Sequence, residues 1–226
     1  MTFNDKRITA ILPVRKGSQR IPNKNFRKFG DSCLFEMKLK TLLELNFIDE
    51  VLVSSDSKEA IELAEKLGAS VHLRDNYYAS SVCTNSEFFL NFSEMTNSNF
   101  IMYSPCTSPL ISKETYYSFI NSFHRLGEEH DSVASVRLIK QHLWTKDGPL
   151  NYEISKSPNS QDLPDIYALT YGINIISREN LIQYKNIIGK KPKFYILDDI
   201  EAIDIDNLDE FQTAEFFYKQ KYTKIR

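Results

Sequence analysis

A single α/β domain, with a mostly parallel sheet covered by helices on both faces, is the fold this sequence predicts, and three observations carry that prediction. Short β-branched runs alternate with stretches of helical periodicity in the order β-α-β-α-β, the pattern of parallel strands joined by crossover helices. The 226 residues suffice for one large domain with a substantial core. Their 42% hydrophobic and 26% charged content is that of an ordinary globular chain, which sets aside disorder, collagen and membrane-spanning architectures.

Taken in order, Ile8-Thr9-Ala10-Ile11-Leu12-Pro13-Val14 ends at polar, turn-forming residues and predicts a buried first strand. A cation-rich loop follows. Leu34, Met37, Leu39, Leu42, Leu43 and Leu45 suit a helix, and Val51 to Ser55 predicts the second strand. In the next helix Ser57 is the N-cap, Ala60, Leu63, Ala64 and Leu67 recur at i, i+3, i+4 and i+7, and Gly68 supplies a left-handed stop. Asp56, just before it, suits helix capping at least as well as ligand contact. Val71 to Leu73, Phe100 to Tyr103 and Val133 to Val136 predict further strands, with Tyr116, Phe119, Ile120 and Phe123 on a helix between them.

Residues 140–165 break the rhythm, with Gly148, Pro149, Pro158 and Pro164 among polar groups of no clear period. They predict an excursion from the domain, an oligomerisation arm. Strands return at Tyr171 to Ile176, Phe194 to Leu197 and Ala202 to Ile205, before a last helix opened by Asn207 with Glu210 three residues later. Residues 1–226 are thus expected to form one domain.

Charge and cysteine content narrow the function. Lys and Arg total 28 against 30 Asp and Glu, a dispersed net charge of −2 that disfavours a nucleic-acid partner. Cys33, Cys83 and Cys106 form no CxxC pair and predict buried thiols rather than zinc ligands or disulfides. The polar start Met1 to Arg7 and the brevity of the Ile8 to Val14 run suit neither a signal peptide nor a membrane span, so the expectation is a cytoplasmic protein with no membrane partner.

Two segments carry chemistry. Past the carboxyl end of the first strand, where open α/β sheets bind ligands, stand Arg15, Lys16, Arg20 and Lys24 around Gly17 and Ser18, whose backbone can turn its amides toward an anion. Phosphate is the natural ligand, although alone such a loop reads as a solvated basic surface. Neither GxxxxGK followed by Ser or Thr nor GxGxxG is present, which argues against a P-loop ATPase and a dinucleotide dehydrogenase. Near the other end, Glu201-Ala202-Ile203-Asp204-Ile205-Asp206 would, as a strand, place Asp204 and Asp206 on one side, about 7 Å apart along the chain. Two such carboxylates beside a phosphate loop can share one Mg²⁺; alone they read as surface acids.

Together the segments resemble the acylneuraminate cytidylyltransferase family, which makes CMP-sialic acid and related CMP-activated acidic sugars. Arg15-Lys16-Gly17-Ser18-Gln19-Arg20-Ile21-Pro22-Asn23-Lys24-Asn25 is similar to the family signature, and Val53-Ser54-Ser55-Asp56, Leu73-Arg74, Thr107-Ser108-Pro109-Leu110 and Ile203-Asp204-Ile205-Asp206 follow in the family's order. The resemblance implies a three-layer, Rossmann-like nucleotidyltransferase fold and a homodimer using the 140–165 arm. It implies that CTP and an acidic sugar give a CMP-sugar and pyrophosphate, with Mg²⁺ as cofactor. Arg15 and Lys24 would hold the triphosphate and act in catalysis, with Gly17, Ser18, Thr107 and Ser108 completing the nucleotide site. Asn25 and Arg74 would contact cytosine, and Asp204 and Asp206 would hold the metal.

The chain also departs from the family pattern. Gln19 stands where Lys is frequent, Ser104-Pro105-Cys106 replaces Leu-Gln-Pro, and Leu169-Thr170-Tyr171-Gly172-Ile173-Asn174 replaces a stretch built on Arg-Pro-Asn-Gly. The nucleotide half therefore matches better than the acceptor half. A Kdo-type or other acidic-acceptor cytidylyltransferase stands as the first alternative, although Asn23-Lys24-Asn25 differs from the Kdo loop. A glycosyltransferase with an Asp-x-Asp metal pair is next, disfavoured by the pair's place near the C-terminus. A non-catalytic nucleotide-binding module is third.

Overall fold

The computed structural model describes residues 7–18 and 20–223, the side chains of 222 and 223 excepted. The expectations for Met1 to Lys6 and for Gln19 lie outside the described residues. The main sheet has seven strands: β1 (Ile8–Val14), β4 (Glu50–Ser55), β5 (Ser70–Leu73), β6 (Phe100–Tyr103), β7 (Ser132–Ile139), β10 (Ile166–Ser177) and β11 (Pro192–Ile196). Their order is β11-β7-β10-β6-β1-β4-β5. β1 pairs in parallel with β4 and β6, β4 with β5, and β7 with β11, whereas β10 runs antiparallel to both β6 and β7. The short strands β2 (Lys28–Phe29) and β3 (Ser32–Cys33) form a hairpin that leads into α1 (Leu34–Leu43).

Helices cover both faces. α1, α2 (Lys58–Lys66), α5 (Lys113–His124) and α7 (Leu208–Thr223) pack on one side, where Leu39, Ala64, Phe119 and Phe211 meet Ala10, Leu12 and Val53 of the sheet. α4 (Asn85–Met95) and α6 (Arg178–Tyr184) pack on the other, where Phe89, Phe92 and Leu181 meet Ile11, Ile101 and Ile176. Because successive side chains of a strand point to opposite faces, Ile11 joins the second layer while Ala10 and Leu12 join the first. Each such large apolar side chain contributes about 1.5–3 kcal/mol by leaving water.

Local signals decide the helix ends. The Ser57 hydroxyl accepts the Ala60 amide at the start of α2, and Gly68 closes it with φ +89°. Thr84 and Glu87 form a capping box on α4. Asn207 and Glu210 exchange side chain to amide bonds of 2.9 and 3.0 Å at the start of α7. The four-residue helix α3 (Asn76–Ala79) lies between β5 and α4.

Two expectations are corrected. Ala202 to Ile205 is not a strand; it leaves a turn, with the Ala202 amide on the Asp198 carbonyl at 2.9 Å, and binds the loop after β6, the Ile205 amide donating to the Thr107 carbonyl at 2.8 Å. The sequence alternates, but turn bonds at Ala202 and Ile203 take up the amides a strand would use. Only Cys106 is a buried thiol, whereas Cys33 and Cys83 are partly exposed; all three are free. Residues 140–165 do leave the sheet, as a small hairpin of β8 (Trp144–Thr145) and β9 (Gly148–Pro149) followed by two 3-10 turns. No helix among the described residues is long and apolar enough to cross a membrane.

Candidate active site

A cavity of about 490 Å³ opens at the carboxyl ends of β1, β5 and β6. Arg15, Ser18, Lys24, Asn25, Arg74, Thr107, Asp204 and Asp206 all line it, so residues from both ends of the chain meet there. Gly17 and Ser108 are not among its lining residues. Ser108 is buried behind it, its carbonyl receiving the buried Lys38 ammonium at 2.7 Å. A Cβ on Gly17 would meet nothing within 4 Å, so packing does not require glycine there.

The basic loop is shaped by its own sequence. Ile21 sits in the core, Pro22 follows, and Asn23 takes φ +53° while the Lys24 amide bonds back to the Ile21 carbonyl at 3.2 Å. That is the pattern of a type II turn, with Pro at its second position and Asn at the third, where positive φ is needed. The turn delivers Lys24 and Asn25 to the cavity. Lys24 Nζ donates to the Ile205 carbonyl at 2.6 Å, joining the basic loop to the C-terminal acidic segment. Burial pushes the Lys24 pKa down, while Asp206 and Asp204 pull it back up. Asp56 does not cap α2: its carboxylate receives the Lys16 amide at 2.7 Å and steadies the loop from the side.

Ile205 is buried, and its neighbours Asp204 and Asp206 both line the cavity. The two carboxylates differ. Asp206 is exposed and pairs with Arg20 at 2.8 Å, a surface contact that a ligand can displace at little cost. Asp204 is largely buried; its pKa is raised by desolvation, an effect opposed by a hydrogen bond from Thr107. Its Oδ1 is buried without a hydrogen-bond partner among the described residues.

Across the cavity, Arg74 leaves β5 buried. Its Nε donates to the Ser54 hydroxyl at 3.1 Å, its Nη2 donates to the Ser54 carbonyl, and the guanidinium lies 5.3 Å over the Phe88 ring. Burial lowers its pKa to about 10. Asn25 donates Nδ2 to the Arg15 carbonyl at 3.5 Å, and its buried Oδ1 has no partner among the described residues. Orphaned acceptors of this kind are expected where a ligand completes the bonding.

The sequence does not single out the remaining wall. Tyr78 reaches the cavity from α3, Cys83 from the loop after it, Phe88 and Phe89 from α4, and Tyr103 and Tyr171 from β6 and β10. One signal for this region was available, the capping box Thr84-Asn85-Ser86-Glu87 that announces α4.

Comparison with known proteins identifies the family. A family model described as cytidylyltransferase matches residues 9–222. The chain belongs to the cytidylyltransferase family. It is accordingly a nucleotidyltransferase. It is 28% identical to a CMP-N,N'-diacetyllegionaminic acid synthase of Legionella pneumophila, the alignment spanning 92% of this chain and 95% of that one. It is 31% identical to a pseudaminic acid cytidylyltransferase of Campylobacter jejuni, over 92% and 95% of the two chains. Among solved structures, a 4-diphosphocytidyl-2C-methyl-D-erythritol synthase from Anaerococcus prevotii superposes with a TM-score of 0.72 at 14% identity, covering 96% of this chain and 98% of that one. At that identity the last likeness concerns the fold alone.

Proposed function

We propose that this cytidylyltransferase couples CTP to an acidic sugar of the sialic or nonulosonic type, releasing pyrophosphate. The observation that carries the reading is one cavity lined by Arg15, Lys24, Asn25 and Arg74 together with Asp204 and Asp206. Arg15 and Lys24 suit a triphosphate. Asn25 and Arg74 offer an amide and a guanidinium to the O2, N3 and amino group of cytosine. The names of the relatives, which activate carboxylated nonulosonic sugars, supply the acceptor class.

In the proposed reaction a sugar hydroxyl oxygen attacks the α-phosphorus in line, the bond from that phosphorus to the β-phosphate bridging oxygen breaks, and pyrophosphate carries the electron pair away. The hydroxyl proton leaves to solvent. Lys24, partly desolvated, stabilises the charge that builds on the α-phosphoryl group.

The acidic pair fits Mg²⁺. An unpartnered buried carboxylate oxygen on Asp204 and a second carboxylate two residues on suit an ion that takes one or two carboxylates and completes its shell with water and phosphate. Bound there, Mg²⁺ would neutralise phosphate charge and favour the deprotonated sugar hydroxyl.

The proposed active form is a homodimer in the cytoplasm. The arm exposes Trp144, Leu150 and Ile154, and edge strand β11 exposes Phe194 and Ile196, apolar surface that a second copy would cover. Free thiols suit a reducing compartment. The transfer reading is tested by pyrophosphate release with CTP and Mg²⁺ against N-acetylneuraminate, legionaminate, pseudaminate and Kdo, with ATP, UTP and GTP as controls. Release with CTP and one acid is expected. Silence across the panel with CTP binding intact would favour a nucleotide-binding module.

A further inference from the structure

One charged side chain lies where the core would be better served by an apolar one. Lys38 shares the buried face of α1 with Leu34, Phe35, Leu39 and Leu42, is 2% exposed, and forms no ion pair among the described residues. An ammonium taken out of water without a counter-ion is costly to the fold. Its donors are aimed at neutral oxygens instead. Nζ donates to the Ser108 carbonyl at 2.7 Å and to the Tyr116 hydroxyl at 2.8 Å, and lies 5.2 Å from the centre of the Tyr116 ring.

Both bonds lead to the loop 104–108 after β6, whose middle residues Pro105, Cys106 and Thr107 line the cavity. Ser108 is held directly and by its carbonyl, since its buried hydroxyl has no partner among the described residues. Ser104 is reached through Tyr116. The two hydroxyls are hydrogen-bonded, and Ser104 Oγ donates to the Gly172 carbonyl at 3.4 Å, inside the bulge where β10 shifts register between Leu169 and Asn174. The loop is thus fastened at both ends by one chain of donors that starts at Lys38.

The other side of the same loop carries groups that serve the ligand. The Thr107 carbonyl accepts the Ile205 amide at 2.8 Å, the Ile205 carbonyl accepts Lys24 Nζ at 2.6 Å, and the Thr107 side chain hydrogen-bonds Asp204. The side chains of Asn25 and Arg74 bond elsewhere, to the Arg15 carbonyl and to Ser54. Lys38 therefore connects to the phosphate-binding groups and not to those offered to the base.

Resting on the cytidylyl-transfer reading, we propose that Lys38 is a positioning residue for the phosphate end of the site: it fixes the loop 104–108 from beneath, so that Thr107 presents the Asp204–Ile205 segment, and with it Lys24, to the triphosphate. Groups held in place before the ligand arrives spare the ordering that a loose loop would cost on binding and in the transition state.

The test titrates wild-type protein and Lys38→Met by calorimetry, in Mg²⁺, with α,β-methylene-CTP, which blocks transfer, and with CMP. Exchange of a buried charge for an apolar side chain of similar volume is commonly neutral or stabilising, so the variant should melt no lower than wild type. It should bind the triphosphate analogue about tenfold more weakly and CMP within about twofold, at unchanged stoichiometry. Tyr116→Phe keeps the ring and the Ser108 bond but cuts the link to Ser104. It should weaken the analogue by about two- to threefold and leave CMP unchanged, and it decides the question if Lys38→Met does not fold. Equal weakening of both ligands, an unchanged ratio of their affinities, or a lowered melting temperature as the sole effect would each overturn the proposal. Pyrophosphate release by wild-type protein, measured separately, distinguishes the two readings. Nucleotide binding without release, with the ratio altered in Lys38→Met, defeats transfer and leaves the positioning role standing. Release with an unaltered ratio does the reverse, and wild-type protein that binds neither nucleotide defeats both.

Discussion

Replacing Asp204 with Asn should stabilise the protein without metal and abolish the added stability that Mg²⁺ with CTP confers. The reasoning starts from the buried Asp204 Oδ1, which has no partner among the described residues, and from burial as the main cause of the raised Asp204 pKa. A carboxyl with a raised folded-state pKa binds its proton more tightly folded than unfolded. Its contribution to stability therefore falls as pH rises from the ordinary carboxylate value through the raised one, and at neutral pH the fold carries the ionised group at a cost. An unsatisfied buried polar group costs about 1–3 kcal/mol. Asn keeps the shape and can keep the Thr107 contact without the charge, while Lys24 retains the Ile205 carbonyl. The expected net gain is about 1 kcal/mol, or about 2–4 °C in Tm for a chain of this size.

With metal the order inverts. A ligand at a hundred times its dissociation constant adds about 2.7 kcal/mol to the folded state, which is about 5–10 °C for the wild type. The variant, with one carboxylate of the pair gone, should lose most of that rise. Scanning calorimetry at pH 7 in EDTA and across a Mg²⁺ titration with CTP reads both effects. If Asp204→Asn melts below the wild type in EDTA and then follows the same Mg²⁺ curve, both the burial argument and the metal assignment fail.

Other substitutions probe the remaining parts. Lys24→Ala should lower kcat by about 10²–10³ with a smaller change in the CTP KM, because its contact strengthens as charge builds in the transition state; a KM rise with unchanged kcat in steady-state assays would contradict this. Arg74→Ala should raise the CTP KM by about tenfold or more and narrow the preference for CTP over UTP, each lost hydrogen bond to the charged group being worth about 1.5–3 kcal/mol; an unchanged KM removes Arg74 from the base site. Gly30→Ala should cost about 1–3 kcal/mol, since Gly30 has φ +57° and an added methyl would run into the Tyr218 ring. A thermal melt within 1 °C or so of wild type would show that the β2–β3 turn relaxes freely.

Features coded over a few residues were the legible ones. The helix with the Ser57 cap and Gly68 stop, strand β6 at Phe100 to Tyr103, and the Asn207 and Glu210 cap all stand where local chemistry puts them. Strand β10 was foreseen only from Tyr171 and without its direction, because pairing partners far along the chain decide which way a strand runs. Ala202 to Ile205 shows the converse. An alternating pattern predicts a strand, but Ala202 and Ile203 turn back on Asp198 and Ile200, and Ile205 bonds to the loop at Thr107 and to Lys24 rather than to a strand. The aromatic wall was invisible for a related reason, since Phe88 and Phe89 on an amphipathic helix look the same in sequence whether they face the core or a cavity.

The layered α/β class, the basic turn around Ile21-Pro22-Asn23-Lys24-Asn25 and the closeness of Asp204 to Asp206 came from the sequence alone, because each depends on neighbours within a few residues. Tertiary packing alone decided that these segments share one cavity, that Ser108 is buried outside its lining while Asp56 supports its loop, and that Tyr171, in the β10 bulge, reaches its wall. Those outcomes depend on contacts between residues up to 181 positions apart, as between Lys24 and Ile205, and packing and long-range pairing settle such contacts after local propensity has had its say.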